Sequence, residues 1–301
     1  MSDTALTADQ TELANDAQFT DMLERVSFQP GILLGSNALT AEQTYHLRRL
    51  TRHQRWLVGP GTVFGLQVTI GPPLSGPPDT LLTVKPGYGI DGLGREVLVT
   101  EAYAISLTQW LAAQNASPDV AANFVGGTLF LRVTVRAQAV PQALQPVVSE
   151  LFDAGLDPVV SARVGDSFQL ELIGDPSHMQ DAPARPLDWW TPLRATPAPG
   201  ALPGTITARE QTTITGITDP GLAGAMKLQA WLLAQPLPPF DDGPGADTGY
   251  VEASRLLLAS VHISLAALNP PVTVTPAMAS VNNLVRPFVR ANALLAAAAL
   301  P

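Results

Sequence analysis

Prolines and glycines recur along this chain at intervals too short for a bundle of long helices. There are 28 prolines and 24 glycines among 301 residues, spread over the whole length. Proline removes a backbone donor and blocks a helix interior, and glycine marks turns. A chain interrupted this often folds as short strands joined by hairpins, with helices only where the interruptions lapse. The expected class is therefore α+β, mainly β: antiparallel β-units, one basic amphipathic helix near the N-terminus and a C-terminal helix.

The N-terminal helix has the clearest boundaries. Thr40-Ala41-Glu42-Gln43 has the form of a capping box, and Gly59-Pro60-Gly61 stops the segment, which predicts a helix over 40–58. Leu47, Leu50 and Leu57 are expected to form its buried stripe. Arg48, Arg52 and Arg55 share another face, with Arg49 and His53 beside it, and are expected to point outward.

Strands are expected over 63–70, 81–84, 96–99 and 103–107, with 86–95 a turn-rich crossing. A short helix is expected around Trp110, over 106–115. Residues 128–136 are the strongest strand, rich in β-branched side chains. Residues 140–156 read as a proline-containing connection and 167–173 as a strand. The Thr/Ile-rich stretch 206–218 reads as a hairpin, 222–234 as a helix and 251–264 as an apolar segment favouring strand. Residues 278–300 read as a final helix interrupted at Pro287. The implied organisation is an acidic arm (1–27), a β-rich core domain (28–173), a Pro/Gly-rich extension or second small domain (174–250), and a C-terminal strand and helix packing back on the core (251–301).

Composition removes several function classes. There is no cysteine, which excludes disulfides and thiolate metal sites. The net charge of −9 disfavours a nucleic-acid partner, whose phosphates need a basic face. The acidic N-terminus has neither the basic nor the apolar region of a secretory signal, and no apolar run is long enough to span a bilayer. Cytoplasmic assembly is the expectation. His46 and His53 are seven residues apart on one helix and cannot chelate one ion together. No phosphate loop, HExxH or GxSxG motif occurs, so no cofactor is expected. Asp91 and Glu96 could be offered as a hydrolase acid pair, but the spacing fits better a hairpin closed by Arg95 pairing locally with a carboxylate.

Charged residues make up 14% of the chain, against about 25% in an average protein. A free monomer keeps itself soluble with surface charge, so sparse charge points to surface covered by other subunits. Arg48, Arg49, Arg52, Arg55, Arg286 and Phe288 are the candidate interface residues, with Trp189 and Trp190 as an aromatic anchor. An alternative use of that tryptophan pair is sugar stacking in a carbohydrate- or cell-surface-binding β-module.

An ordered series of motifs adds to this reading: Phe28-Gln-Pro-Gly-Ile-Leu-Leu34, Glu42-Gln-Thr-Tyr45, Arg52-His-Gln-Arg55, Gly59-Pro-Gly-Thr-Val-Phe-Gly-Leu66 and Pro86-Gly-Tyr-Gly-Ile-Asp-Gly-Leu-Gly-Arg95. It resembles a family of bacterial proteins from clusters encoding contractile, phage-tail-like injection systems. The resemblance covers about residues 28–100. It departs from the family pattern at Gln54, where Asn is usual, and at Phe64, where a small residue or cysteine is usual. It implies a non-enzymatic baseplate or peripheral tail subunit with no catalytic residues. Its partners would be other subunits of the same particle, through homo-oligomeric and hetero-contacts, in a particle that is either released or membrane-docked.

Overall fold

The computed structural model describes residues 23–31, 35–73, 79–146, 159–176, 202, 206–234, 247–268 and 273–289. The fold is α+β with more strand than helix, and its sheets are antiparallel. The chain divides into two compact units, one of Met1–Arg48 and Arg185–Thr248, the other of Arg49–Ala184 and Gly249–Pro301.

Helix α1 spans Ser36–His53 and continues into a π-helical turn, Gln54–Val58. It starts earlier than expected: the amides of Ala38 and Leu39 donate to the Gly35 carbonyl, and Thr40 lies inside the helix. Ala38 and Leu39, both strong helix formers, stand between Gly35 and Thr40, so the helix propagates back past the apparent cap. Gly59, at φ 80°, ends the π turn, and its amide donates to the Gln54 carbonyl at 2.9 Å.

The expected polarity of this segment fails for its three leucines and for Arg55. Leu47, Leu50 and Leu57 are 63%, 50% and 73% exposed, whereas Arg55 is 2% exposed. The inward side meets a polar hairpin and not an apolar sheet. Gln54 donates to the Glu96 carboxylate at 2.6 Å. Gly94, at φ 83°, lies so close that a Cβ there would stand 2.2 Å from the Thr51 carbonyl oxygen. Polar residues pack where polar partners are, and the leucines are left outside.

In the second unit, one three-stranded sheet has the order β1 (Gly61–Gly65), β4 (Gly87–Ile90), β5 (Glu96–Val99). Another has the order β2 (Val68–Gly71), β3 (Leu81–Val84), β6 (Tyr103–Ser106). The expected strand 63–70 is thus two strands in two sheets, and the expected crossing 86–95 contains β4. The break falls at Gly65 and Leu66, both with positive φ, 65° and 52°. A bulky residue in this region is an outlier held by its surroundings. Leu66 is fully buried. The Arg286 guanidinium takes up the carbonyls of this corner, donating to Leu66 at 2.8 Å and Gly65 at 3.2 Å, and to its own neighbour Asn283 at 3.1 Å. The Asn283 side chain pairs like a strand residue with Val68, accepting from its amide and donating to its carbonyl, each at 2.9 Å. It also accepts from Arg286. Burial pulls the pKa of Arg286 down to about 10, which leaves it cationic at neutral pH.

The third sheet is built on β8 (Thr128–Pro146), with β10 (Leu256–Ser264) on one side and β9 (Val159–Gly174) on the other. Strand β11 (Ala279–Asn282) pairs outside β10, and the short β7 (Phe124–Val125) pairs with the start of β8. Leu129, Leu131, Val133 and Val135 of β8 and Leu256, Leu258, Val261 and Ile263 of β10 supply much of the buried core. The connection expected from residue 140 is instead strand: β8 runs on to Pro146, and 147–158 lie outside the described residues. Helix α2 (Leu107–Gln114) forms where expected, with the Ser106 hydroxyl accepting the Gln109 amide. Helix α3 (Pro118–Ala122), which sequence reading missed, opens with proline at its first position.

The apolar segment 251–264 splits into the end of α6 (Asp247–Ser254) and β10. Of the expected helix 278–300, the described part is a 3₁₀ turn, β11 and a turn leading to Phe288, which bridges to Thr62 in parallel. Asn282 and Asn283 make side-chain bonds to backbone that compete with helix. In the first unit, the expected hairpin at 206–218 is helix α4 (Ala208–Thr215). A capping box joins Thr207 and Glu210, and the hydroxyls of Thr212, Thr213 and Thr215 donate back to carbonyls one turn earlier. Helix α5 (Pro220–Ala234) follows, with the Asp219 carboxylate accepting the Leu222 amide.

Removing the corner arginine leaves the buried Leu66 carbonyl without this donor, at about 1–3 kcal/mol, and takes a bond from the part-buried carbonyls of Gly65 and Asn283. Arg286→Ala is therefore expected to lower unfolding stability by about 1–3 kcal/mol, read from the urea midpoint. An unchanged midpoint would show that the corner does not need its guanidinium.

Candidate interaction surface

Strands β1, β4 and β5 are in register, so that Phe64 stands opposite Tyr88 and Tyr88 opposite Leu98. Directly paired residues share a face. The other face carries Val97 and Val99, both buried. The result is an outward row of three large side chains: Phe64 is 61% exposed, Leu98 is 56% exposed, and Tyr88 between them is half-buried. The Phe64 and Tyr88 rings stack at 6.0 Å between centroids. Sequence reading missed this row, although its signal was present. In Glu96-Val-Leu-Val99 the burial phase falls on the valines, so Leu98 is an apolar residue in the solvent phase.

At the end of this sheet, the Asp91–Arg95 hairpin is closed from within. The Asp91 carboxylate accepts the amides of Leu93 and Arg95 at 2.9 and 2.8 Å, and Arg95 Nε at 2.8 Å. This is the local pairing that the spacing implied. Asp91 is fully buried, and burial pushes its carboxyl up against the pull of Arg95 and the two amides. Its oxygens are occupied and closed to any substrate. Glu96 is exposed and interacts with Gln54 and Tyr88. The two carboxylates therefore do not form a cleft-facing acid pair.

The arginines expected at an interface do not act as a group. Arg49 is exposed, Arg48 and Arg52 are half-buried, and Arg55 is buried. Arg286 is 3% exposed and serves the corner between β1 and β2. It reaches over the ring of Phe288, 5.8 Å from its centroid, and Phe288 itself is half-exposed. Arg55 and Arg286 are thus interior residues and not outward contacts. Trp189 and Trp190 lie outside the described residues. On the solvent side of α1, Leu39 joins Leu47 and Leu50 as exposed leucines.

Other charges are paired within the third sheet and between it and the end of α6. Arg132 holds both oxygens of Glu252, and Arg255 donates to Glu171 at 2.7 Å, with Arg136 at 3.5 Å from the same carboxylate. Among the described residues there is no group of three His, Cys, Asp or Glu side chains arranged to hold a metal ion. Nor, among them, is any helix long and apolar enough to cross a membrane. The chain matches no protein-family model and no curated protein sequence.

Burial, and then the charge and hydrogen bond of Glu96, push the Tyr88 phenol up from 10.0 to about 12. Because the folded pKa lies above the unfolded one, this contribution to stability is complete below pH 10 and is lost as pH rises toward 12. Ultraviolet titration of the phenolate should show one tyrosine ionising late, and Glu96→Gln should bring that tyrosine down toward its ordinary value. A late tyrosine that Glu96→Gln leaves unmoved would contradict the contact.

Proposed function

We propose that this chain is a non-enzymatic structural subunit of a contractile, phage-tail-like injection particle, a baseplate or peripheral tail component that acts through protein–protein interfaces. The observation that carries the reading is the Phe64–Tyr88–Leu98 row. It is large, apolar, solvent-facing and held on a paired sheet, so it is pre-formed for docking. Aromatic anchors of this kind are enriched at protein interfaces, where charged residues are depleted at the core. The low charged fraction supports the same reading, as does the resemblance of residues 28–100 to proteins of such clusters. The closed bonding of Asp91 weighs against a hydrolase built on that carboxylate. The carbohydrate-binding alternative depends on Trp189 and Trp190, and no described residue favours it.

The test is the composition of particles pelleted from producing cells. The wild-type chain is expected in them by mass spectrometry. Phe64→Glu combined with Leu98→Glu alters only exposed side chains, so folding should survive to within about 1 kcal/mol. Incorporation should nonetheless fall by about tenfold or more, the factor that corresponds to about 1.4 kcal/mol of lost contact. A wild-type chain absent from the particles, or a double variant incorporated at the wild-type level, would overturn the proposal.

A further inference from the structure

Strands β8 and β9 outrun the sheet that they belong to. Strand β10 accompanies β8 only as far as Val135, opposite Leu256. From Arg136 to Pro146 strand β8 pairs, among the described residues, with β9 alone, a two-stranded ribbon roughly 35 Å long at about 3.3 Å per residue. Two strands without a third are marginal in water. Over Ala137–Pro146 and Val159–Phe168 the sequence holds just two charges, Arg163 and Asp166.

The two edges of this ribbon differ. Opposed residues in an antiparallel pair alternate between those that exchange backbone bonds and those whose backbone groups point away. Pro141 stands opposite Val164 and has no amide to give, so this pair belongs to the second kind. By alternation Ala139–Asp166 and Ala137–Phe168 do too. The same phase turns Val133 and Val135 toward β10, as their pairing requires. The outer edge of β8 is therefore blocked at Pro141, a device that stops further strands from adding. On β9, the amides and carbonyls of Val164 and Asp166 point outward. Among the described residues no strand pairs with that edge. Val164 is 67% exposed, and no lysine or proline guards Arg163–Phe168.

We infer that the open edge of β9 is a dimerisation edge that pairs antiparallel with β9 of a second copy of this chain. An antiparallel edge is its own complement about a two-fold axis, because each copy offers an acceptor where the other offers a donor. The second copy is the occupant that leaves no open edge over. Pairing β9 with β9 gives a four-stranded sheet bounded on both sides by β8, whose edge carries Pro141, so the assembly closes at two. A register centred on Val164 also avoids setting Asp166 against Asp166 or Arg163 against Arg163, the like-charge pairs that destabilise a sheet. The inference goes beyond the particle reading and does not rest on it, since it is drawn from the ribbon alone.

The test is analytical ultracentrifugation of the full chain over roughly 1 to 100 µM, with Val164→Pro as the variant. Proline is tolerated on an edge strand where the lost amide points away from its neighbour, so the variant keeps the β8–β9 ladder and loses an outward donor. The wild type should shift from monomer to dimer within this range. The variant should need at least about tenfold more protein to dimerise, with an unchanged circular dichroism spectrum. In hydrogen exchange the wild-type amides of Val164 and Asp166 should become protected as concentration rises, while those of Arg163 and Gly165 are protected throughout. A wild type that stays monomeric, or a folded variant that dimerises as well as the wild type, overturns the inference. Should the variant not fold, exchange at Val164 and Asp166 that ignores concentration overturns it equally.

Discussion

The second unit turns on a buried cation. Arg286 sits at the corner where the chain leaves β1 and enters β2, and its guanidinium holds the carbonyls of Gly65 and Leu66. Without that donor, a leucine at positive φ would have to keep a polar backbone in an apolar interior. The corner directs β1 toward the outward row and β2 toward the sheet closed by Asn283. Residues far apart in sequence therefore fix each other: 283–286 near the end of the chain hold 65–68 near its start. An arginine suits this place because its planar fork reaches several acceptors at once, which a lysine ammonium on a flexible stem does not.

The same economy explains the surface. The chain has 17 basic and 26 acidic residues, and several of them are committed to internal bonds. Asp91 closes a hairpin with Arg95, Arg55 and Arg286 are buried, and Arg132, Arg136 and Arg255 meet Glu171 of the third sheet and Glu252 of α6. Charge used inside is not available to solvate the outside. Large apolar side chains are left exposed on α1, and others on the row of β1, β4 and β5. The inward Arg55 and the outward leucines are two sides of one arrangement.

Local structure was legible in the sequence where punctuation and side-chain alternation agreed. Strands β3 and β5 lie where they were expected, and α2 and α5 nearly so. Local signals failed where a distant partner decided the outcome. The leucine spacing of α1 says that one face is apolar, but not that the neighbouring hairpin is polar and will select the other face. The threonines of 206–218 have β-propensity, and the Thr207–Glu210 capping box together with hydroxyl bonds back to the preceding turn overrode it. Prolines at 141 and 146 read as a connection because their position relative to a partner strand is invisible without the register. Of the candidate site residues, Arg286 mattered for a reason other than the one expected. Phe64, noted only as a departure from a family pattern, proved to be one end of the outward row.

The two proposed contacts differ in kind, and the difference bears on how an assembly could be ordered. A side-chain row such as Phe64–Tyr88–Leu98 discriminates between partners by shape, since it offers surface but few directional bonds. A bare strand edge offers backbone bonds that any extended segment can satisfy, so its selectivity must come from what stands beside it. Here that is a proline on the companion strand, one valine and two opposite charges. Such an edge gains by being closed early, by a copy of itself at the site of synthesis, before other strands reach it. The apolar row can wait, because three side chains in a charged cell do not template aggregation as an open edge does. On this argument the proposed edge pairing would precede the proposed docking through the sheet face, and a larger assembly would receive a closed pair.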